Sequence, residues 1–140
     1  MNYWLFKEEP AHYSYDDLVK EGSTTWEGVH NNLAVKNLRA VKKGDQIFYY
    51  HTGEEKAVVG IMKAVGDAYS VDKVPLASSK EVGVKVSPVR KLANPVSLQK
   101  IKASSKFKDF LLVKISRLSV MPVTKEQWEE ILKMSDVSTA

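Results

Sequence analysis

Apolar and polar residues alternate along several short segments of the chain, and a period of two residues predicts β-strands. In NYWLFK, residues 2–7, Tyr3 and Leu5 alternate with Trp4 and Phe6, so both faces of this strand are expected to be covered. Pro10 ends this part of the chain because it lacks a backbone donor. Further strands are predicted for QIFYYH, AVVGIMKAV, EVGVKVSPV and FLLVKISRLSV, with TGEEK as the hairpin loop between the first two.

Helices are predicted where a capping residue precedes apolar residues spaced three or four positions apart. Ser14, three residues before an aspartate, opens the helix YDDLVKE, and Gly22 ends it. Ser97 caps a short helix within PVSLQKIKAS. Thr124 and Gln127 form a second capping box, which opens a helix whose inward-facing residues are Trp128, Ile131 and Leu132.

The segment from residue 32 to residue 43 predicts an amphipathic helix with a basic stripe. Its apolar residues Ala34, Leu38 and Val41 recur at i, i+4 and i+7 and share one face, with Asn31 or Asn32 as the N-cap. A second face carries Lys36, Arg39 and Lys43. Such a stripe is suited to contact the phosphates of a nucleic acid.

Together these elements predict an α+β fold. About five to six strands with short flanking helices are typical of a small curled sheet or mixed β-barrel. The chain of 140 residues shows no internal repeat and no long linker, so a single domain spanning residues 1–140 is predicted.

The composition predicts a folded globular chain, because apolar residues make up 44% of it and charged residues 27%. No apolar run approaches the roughly 20 residues of a membrane span, and the first residues do not follow the signal-peptide pattern. A cytoplasmic location is therefore expected, or a nuclear one in a eukaryote. The absence of cysteine excludes disulfides and thiolate metal sites.

Basic residues are concentrated in one part of the chain. Residues 85–117 contain nine basic residues and one acidic residue, Asp109, for a net charge of +8, whereas the whole chain carries +4. The rest of the chain is therefore net acidic. A surface polarised in this way favours a polyanionic partner, although a solvated lysine-rich face is the alternative explanation.

No motif of an enzyme, a metal site or a cofactor site is recognisable in the sequence. The histidines His12, His30 and His51 include no pair at the helical spacing typical of metal ligands. The segment GEEKAVVG lacks the lysine and hydroxyl residue that end a phosphate-binding loop. We therefore predict a protein that is not an enzyme and that needs no metal and no cofactor.

The segment WEGVHN, residues 26–31, combines an aromatic ring with loop residues. Gly28 permits close backbone approach, and the Asn31 amide offers both a donor and an acceptor, as the edge of a base requires. Stacking of a base on Trp26 is worth about 1–3 kcal/mol, comparable to the few kcal/mol that flipping a base costs. We therefore predict Trp26 as a stacking wall and Asn31 as the edge reader.

Several segments in a fixed order resemble a known family. They are WLFKEEP, WEGVHN with the following NLR and IFYYH, and SRLSVMPVT with EQW. The chain resembles the EVE domain family of the PUA-like superfamily over nearly its whole length. The resemblance implies a PUA-like β-barrel with short flanking helices and a pocket related to that of YTH domains, which hold a modified base in an aromatic cage. For EVE domains it implies recognition of modified cytosine in DNA, with RNA as an alternative.

Carried over position by position, the resemblance implies a base pocket in which Tyr49 or His51 takes part. The chain departs from the family pattern at Glu8, where serine is common, and at His30, where arginine is common. The full predicted pocket is Lys7, Glu9, Pro10, Trp26, Gly28, Val29, Asn31, Tyr49 and His51. The predicted phosphate contacts are Lys36, Arg39, Lys43 and Arg117.

The favoured interpretation is a module that captures a modified base in nucleic acid, with DNA preferred to RNA as the partner. The alternative is a protein that binds a free nucleotide or nucleoside in the same pocket. Salt dependence distinguishes the two, because only a protein that follows the phosphate backbone weakens steeply as salt rises.

Overall fold

The computed structural model describes residues 1–136, whose strands form a mixed sheet with helices around it. Within these residues the strands are β1 (Tyr3–Glu8), β2 (Thr24–Trp26), β3 (Gln46–His51), β4 (Ala57–Ala64), β5 (Tyr69–Ser70), β6 (Val82–Ser97) and β7 (Val120–Val123). The α-helices of the same residues are α1 (Tyr15–Glu21), α2 (Asn32–Arg39), α3 (Leu98–Ala103), α4 (Leu111–Lys114) and α5 (Lys125–Asp136), and short 3-10 turns cover Leu76–Ser78 and Ser105–Phe107. The predicted α+β class is confirmed. The described residues form seven strands, whereas about five to six were predicted.

The sheet has the strand order β2-β6-β4-β3-β1-β7, and β5 pairs with β6. Strands β1 and β3 are parallel, whereas the other pairs are antiparallel. The long strand β6 contacts β2, β4 and β5, and its register with β4 shifts at two places. Such irregularities bend a strand and increase its twist, which curls the sheet into a half-barrel.

Aromatic rings form much of the core beneath α5. Trp128 stacks on Phe48 with ring centroids 3.7 Å apart and on Tyr3 at 4.7 Å. On β1, which pairs with β3, the Trp4 indole donates a hydrogen bond to buried Asp45 at 2.9 Å. The prediction that Trp4 and Trp128 are core residues is confirmed.

The predicted capping residues lie where the sequence placed them. The capping box of Ser14 opens α1, and Gly22 ends the helix with a φ of 82°. Asn31 caps α2, Ser97 caps α3, and Thr124 exchanges hydrogen bonds with the glutamine three residues later. These signals are local, and the structure confirms each of them.

The basic helix is shorter than predicted, because α2 ends at Arg39 rather than at Lys43. The side chain of Asp45 accepts a hydrogen bond from the Lys42 backbone nitrogen at 2.9 Å and folds this segment into a turn. Val41 is still buried, but it reaches the core from the turn. Lys43 therefore lies outside the helical stripe formed by Lys36 and Arg39.

The predicted strand FLLVKISRLSV is wrong over most of its length. Leu111–Lys114 form α4, in which the Ile115 nitrogen donates to the Leu111 carbonyl at 2.8 Å, and only Val120–Val123 pair with β1. Leu112 is buried by this helical turn. A short apolar run looks alike in a buried strand and a buried helix, so its periodicity could not separate the two.

Gly60→Ala is expected to lower the free energy of unfolding by about 1–3 kcal/mol through overpacking. A Cβ at Gly60 would lie 2.6 Å from ring carbons of Tyr15, which is 1% exposed and donates its hydroxyl hydrogen to the Ile61 carbonyl at 2.6 Å. Gly66→Ala is the matched control, since a Cβ there would meet nothing within 4 Å. Urea denaturation measures both, and equal midpoints would contradict the prediction.

Candidate nucleic-acid interface

The sequence-predicted aromatic residues converge at the carboxyl ends of β1, β2 and β3. Trp26 lies 5.3 Å from both Phe6 and Tyr49 between ring centroids, and Tyr49 lies 5.4 Å from His51. All of these rings are buried, and Trp26 is 7% exposed. The cluster therefore forms the floor behind the surface loops, and stacking of a base on Trp26 stays a prediction.

Tyr49 and His51 are held by hydrogen bonds to the segment that leads into α1. The Tyr49 hydroxyl donates to the Tyr13 carbonyl, and burial raises the pKa of Tyr49 well above its usual value. His51 Nε2 accepts from the Tyr15 backbone nitrogen at 3.1 Å, and its Nδ1 lies 2.7 Å from Glu55 Oε1. Because Nε2 accepts, the ring proton of the neutral imidazole is on Nδ1 and is donated to Glu55.

A cleft of about 220 Å³ opens where the loop after β2, which begins at Glu27, faces the segment between β5 and β6. One wall consists of Gly28, Val29 and His30, and the opposite wall includes Val71 and Val82. We call this the Gly28 cleft. The valines give the cleft apolar surface that can contact a flat ring or a methyl group, and Glu27, His30 and Glu81 add polar groups to the lining. The valines of the second wall were not predicted from the sequence.

Asn31 lies at the end of this loop with an exposed side chain. Its Oδ1 accepts the Ala34 backbone hydrogen at 3.0 Å to cap α2. The Nδ2 group remains a donor, and the role of Asn31 as an edge reader stays a prediction. At the end of β1, Glu9 is exposed, and Pro10 is partly buried. The Thr52 hydroxyl lies 3.4 Å from Glu9 Oε2.

Lys7 points away from the aromatic cluster because side chains alternate along β1, and Phe6 contacts Trp26. The Lys7 Nζ donates to the Ser116 carbonyl at 2.9 Å. Lys7 lines a separate cavity with Tyr50 rather than the Gly28 cleft. The structure thus divides the predicted pocket between two faces of β1.

The comparison with family sequence patterns identifies the family. The EVE domain pattern matches residues 2–134 of the chain. The chain belongs to the EVE domain family. The match covers all of the strands and all of the residues that line the Gly28 cleft. The PUA-like fold expected from the sequence is confirmed by the solved structures of the family.

Relatives of this EVE domain include proteins of known structure. Thymocyte nuclear protein 1 of Rattus norvegicus is 32% identical over 96% of this chain and 74% of the relative. An NMR structure from Rhodopseudomonas palustris has a TM-score of 0.88 and 38% identity, covering 96% of this chain and 93% of the other. The human THYN1 protein, solved in complex with DNA that contains 5-methylcytosine, has a TM-score of 0.89 and 26% identity and covers 99% of both chains.

The predicted phosphate contacts of this EVE domain differ in exposure. Lys36, Lys43 and Arg117 are exposed. Arg39 is partly buried, and its Nη2 donates to the carbonyl of buried Ser79 at 2.7 Å. The Arg39 Nε is buried and has no hydrogen-bond partner among the described residues. A phosphate contact by Arg39 stays a prediction, and in the free protein the guanidinium is bound to the chain itself.

Arg39 holds the segment that forms the second wall of the Gly28 cleft. Ser79 Oγ lies 2.7 Å from Asp72 Oδ1 and 2.9 Å from the Glu81 carbonyl, and hydrogen bonds from Ser70 and Ser79 lower the pKa of Asp72. Glu81 in turn lines the cleft. This network links α2 to the cleft wall through a single side chain.

Arg39→Ala is expected to loosen residues 71–82 without unfolding the sheet. A hydrogen bond from a charged donor contributes about 1.5–3 kcal/mol. Its loss lowers the free energy of local opening, so amide hydrogen exchange in this segment should accelerate about tenfold or more. Lys36→Ala removes the same charge from an exposed position of α2 and should leave exchange there unchanged. Equal exchange rates in the two variants would contradict a role of Arg39 in holding this wall.

Among residues 1–136, no helix is long and apolar enough to cross a membrane.

Proposed function

We propose that this EVE domain binds DNA that carries a modified cytosine and holds the flipped base in the Gly28 cleft. The observation that carries the proposal is the similarity in fold, over 99% of both chains, to the human protein solved with 5-methylcytosine-containing DNA. The cleft is formed by the loop that follows Trp26 and has valines on the wall facing Gly28. An apolar wall favours a methyl group on the base through removal of its surface from water.

The energetics favour a pocket that works together with phosphate contacts. Base stacking of about 1–3 kcal/mol roughly offsets the few kcal/mol needed to flip a base, so affinity has to come from additional contacts. The exposed Lys36, Lys43 and Arg117 can supply contacts to the backbone without sequence preference. In this proposal the cleft determines selectivity and the basic surface determines most of the affinity.

Binding without catalysis belongs to the same proposal. His51 uses both ring nitrogens in hydrogen bonds within the protein, and the buried hydroxyl of Tyr49 is bonded to a backbone carbonyl. Tyr49 and His51, the titratable rings of the aromatic cluster, are thus engaged in holding the fold, whereas Glu27, His30 and Glu81 line the cleft itself. A cytoplasmic location, or a nuclear one in a eukaryote, is part of the proposal because it gives access to DNA.

The test is a binding titration with short oligonucleotides that carry cytosine, 5-methylcytosine or 5-hydroxymethylcytosine. Val71→Asp places a charge on the cleft wall, where the valine is 37% exposed, and should reduce the preference for the modified base about tenfold or more. Val19→Asp makes the same change on the exposed side of α1, where the valine is 53% exposed, and should not alter the preference.

Single- and double-stranded DNA and single-stranded RNA of the same sequence complete the experiment. Equal affinity of the wild type for modified and unmodified DNA would refute selective recognition. Tighter binding to modified RNA than to modified DNA would refute DNA as the target. A preference that survives Val71→Asp would show that the base binds outside the Gly28 cleft.

A further inference from the structure

A second cavity, of about 260 Å³, lies on the opposite face of β1 from the aromatic cluster, between the sheet and the segment containing α3 and α4. Three lysines, Lys7, Lys56 and Lys102, line it together with Tyr50. Leu98 and other apolar residues form another part of its lining. We call this the Lys7 groove, and it is separate from the Gly28 cleft.

The three lysines of the Lys7 groove form no ion pair with an acidic side chain among residues 1–136. No acidic residue of that range lines the cavity, although the Glu9 carboxylate bonds the Thr52 hydroxyl at its edge. Lys7 is partly buried, and its Nζ bonds the Ser116 carbonyl and lies 5.6 Å from the centroid of the Tyr50 ring. An ammonium group with these neighbours still has donors available for an anion.

Burial affects both Lys7 and Tyr50 in ways that favour an anion. Burial lowers the pKa of Lys7 because the charged ammonium loses solvation, and a bound anion would offset part of that cost. Burial also raises the pKa of Tyr50 to about 12, so its phenol stays neutral at pH 7. The groove therefore carries net positive charge over the neutral range.

The groove continues into a neighbouring cavity of about 390 Å³ that shares Lys56, Leu98 and Lys102 with it. Glu54 and Glu55 line only this outer part. Within the Lys7 groove itself the three lysines lie beside the apolar wall, and the two glutamates are confined to the neighbouring cavity. A ligand that fits the lysines and the apolar wall of the groove has a single anionic group joined to a less polar part.

We propose that the Lys7 groove is a binding site for the phosphate of a nucleotide, with the phosphate on the three lysines and the attached nucleoside against Leu98. Phosphate recognition by lysine point charges beside an apolar surface is the chemistry that this lining provides. The source of the phosphate is either a nucleotide that flanks the modified base in bound DNA, which rests on the proposed function, or a free nucleotide.

The first experiment tests the groove independently of base recognition. A nucleoside 5′-monophosphate, and inorganic phosphate in parallel, are titrated into the ¹⁵N-labelled protein while amide shifts are followed by NMR. We expect saturable shifts at Thr52, Gly53 and Lys102 with the monophosphate. The double variant Lys56→Gln/Lys102→Gln should lose them. Lys125→Gln removes one charge beside Tyr3, at the other end of β1, and should keep them.

The second experiment identifies the source. For methylated oligonucleotides, the double variant should lower the slope of log affinity against log salt by about 0.7–0.9 per lysine and weaken binding about fivefold or more per lysine near 0.1 M salt. The preference for methylated over unmethylated DNA should be retained, and Lys125→Gln should match the wild type in both respects.

The outcomes separate this proposal from the proposed function. Monophosphate shifts that depend on Lys56 and Lys102, with oligonucleotide binding unchanged in the double variant, would support the groove as a site for free nucleotides. No specific shifts together with an unchanged salt slope would overturn it. If the wild type binds no oligonucleotide, the proposed function fails, and the monophosphate titration alone decides the groove.

Discussion

Trp26→Ala is expected to lower the free energy of unfolding by about 3–5 kcal/mol, the usual cost of deleting a large buried aromatic side chain. Trp26 is 7% exposed and packs against Phe6 and Tyr49. The deletion therefore leaves a cavity between β2 and the centre of the sheet, and few neighbouring groups can move in to fill it. Urea denaturation followed by circular dichroism measures the loss.

This stability cost determines how the role of Trp26 in binding has to be tested. Trp26→Phe keeps an aromatic ring in the cluster and should cost less than half as much as Trp26→Ala. DNA binding by the phenylalanine variant, measured where it is fully folded, then reports on the pocket rather than on unfolding. A loss below about 1 kcal/mol for Trp26→Ala would contradict the packed position of the ring.

Asp45→Ala is expected to cost about 3 kcal/mol or more, because one buried carboxylate satisfies three donors. Asp45 is 2% exposed and accepts from the Trp4 indole and from the backbone nitrogens of Asn2 and Lys42, each at 2.9 Å. The substitution leaves the buried indole N–H without its partner. Thermal and urea denaturation should both show the loss.

Asp67→Ala is the matched control for this prediction. Asp67 is exposed and accepts one hydrogen bond, from the Lys43 backbone nitrogen at 2.8 Å. Its removal should cost about 1 kcal/mol or less. If the two alanine variants were equally stable, the carboxylate of Asp45 would not have the structural role that its hydrogen bonds indicate.

The parts of the fold that depend on neighbours in sequence were predictable. Ser14, Asn31 and Ser97 cap helices because each side chain accepts a hydrogen bond from the backbone nitrogen three residues later. The helix at Leu111–Lys114 was not predictable in the same way, because its apolar residues are buried by contacts with distant parts of the chain. The early end of α2 likewise depends on Asp45, which lies beyond the helix.

The candidate site was predictable on one side only. The sequence located the Gly28 loop and the aromatic residues, since they are close together in the chain or carry a family resemblance. It could not locate Val71 and Glu81, which face that loop only after β5 and β6 pair. The sequence also suggested one pocket for Lys7 and Trp26. Trp26 contacts Phe6, and because side chains alternate along β1, Lys7 lies on the opposite face of the sheet.

The position of β1 between β3 and β7 has a consequence for synthesis of the chain. Among residues 1–136, β1 precedes the other strands in the chain and β7 follows them, yet Leu5 pairs with Phe48 on one side and Met121 on the other. During translation the first strand therefore keeps one open edge until residues 120–123 leave the ribosome. Contacts over such sequence separations slow folding. A nascent chain in which residues 120–123 are still missing exposes an apolar strand edge, and such an edge is prone to pairing with another chain.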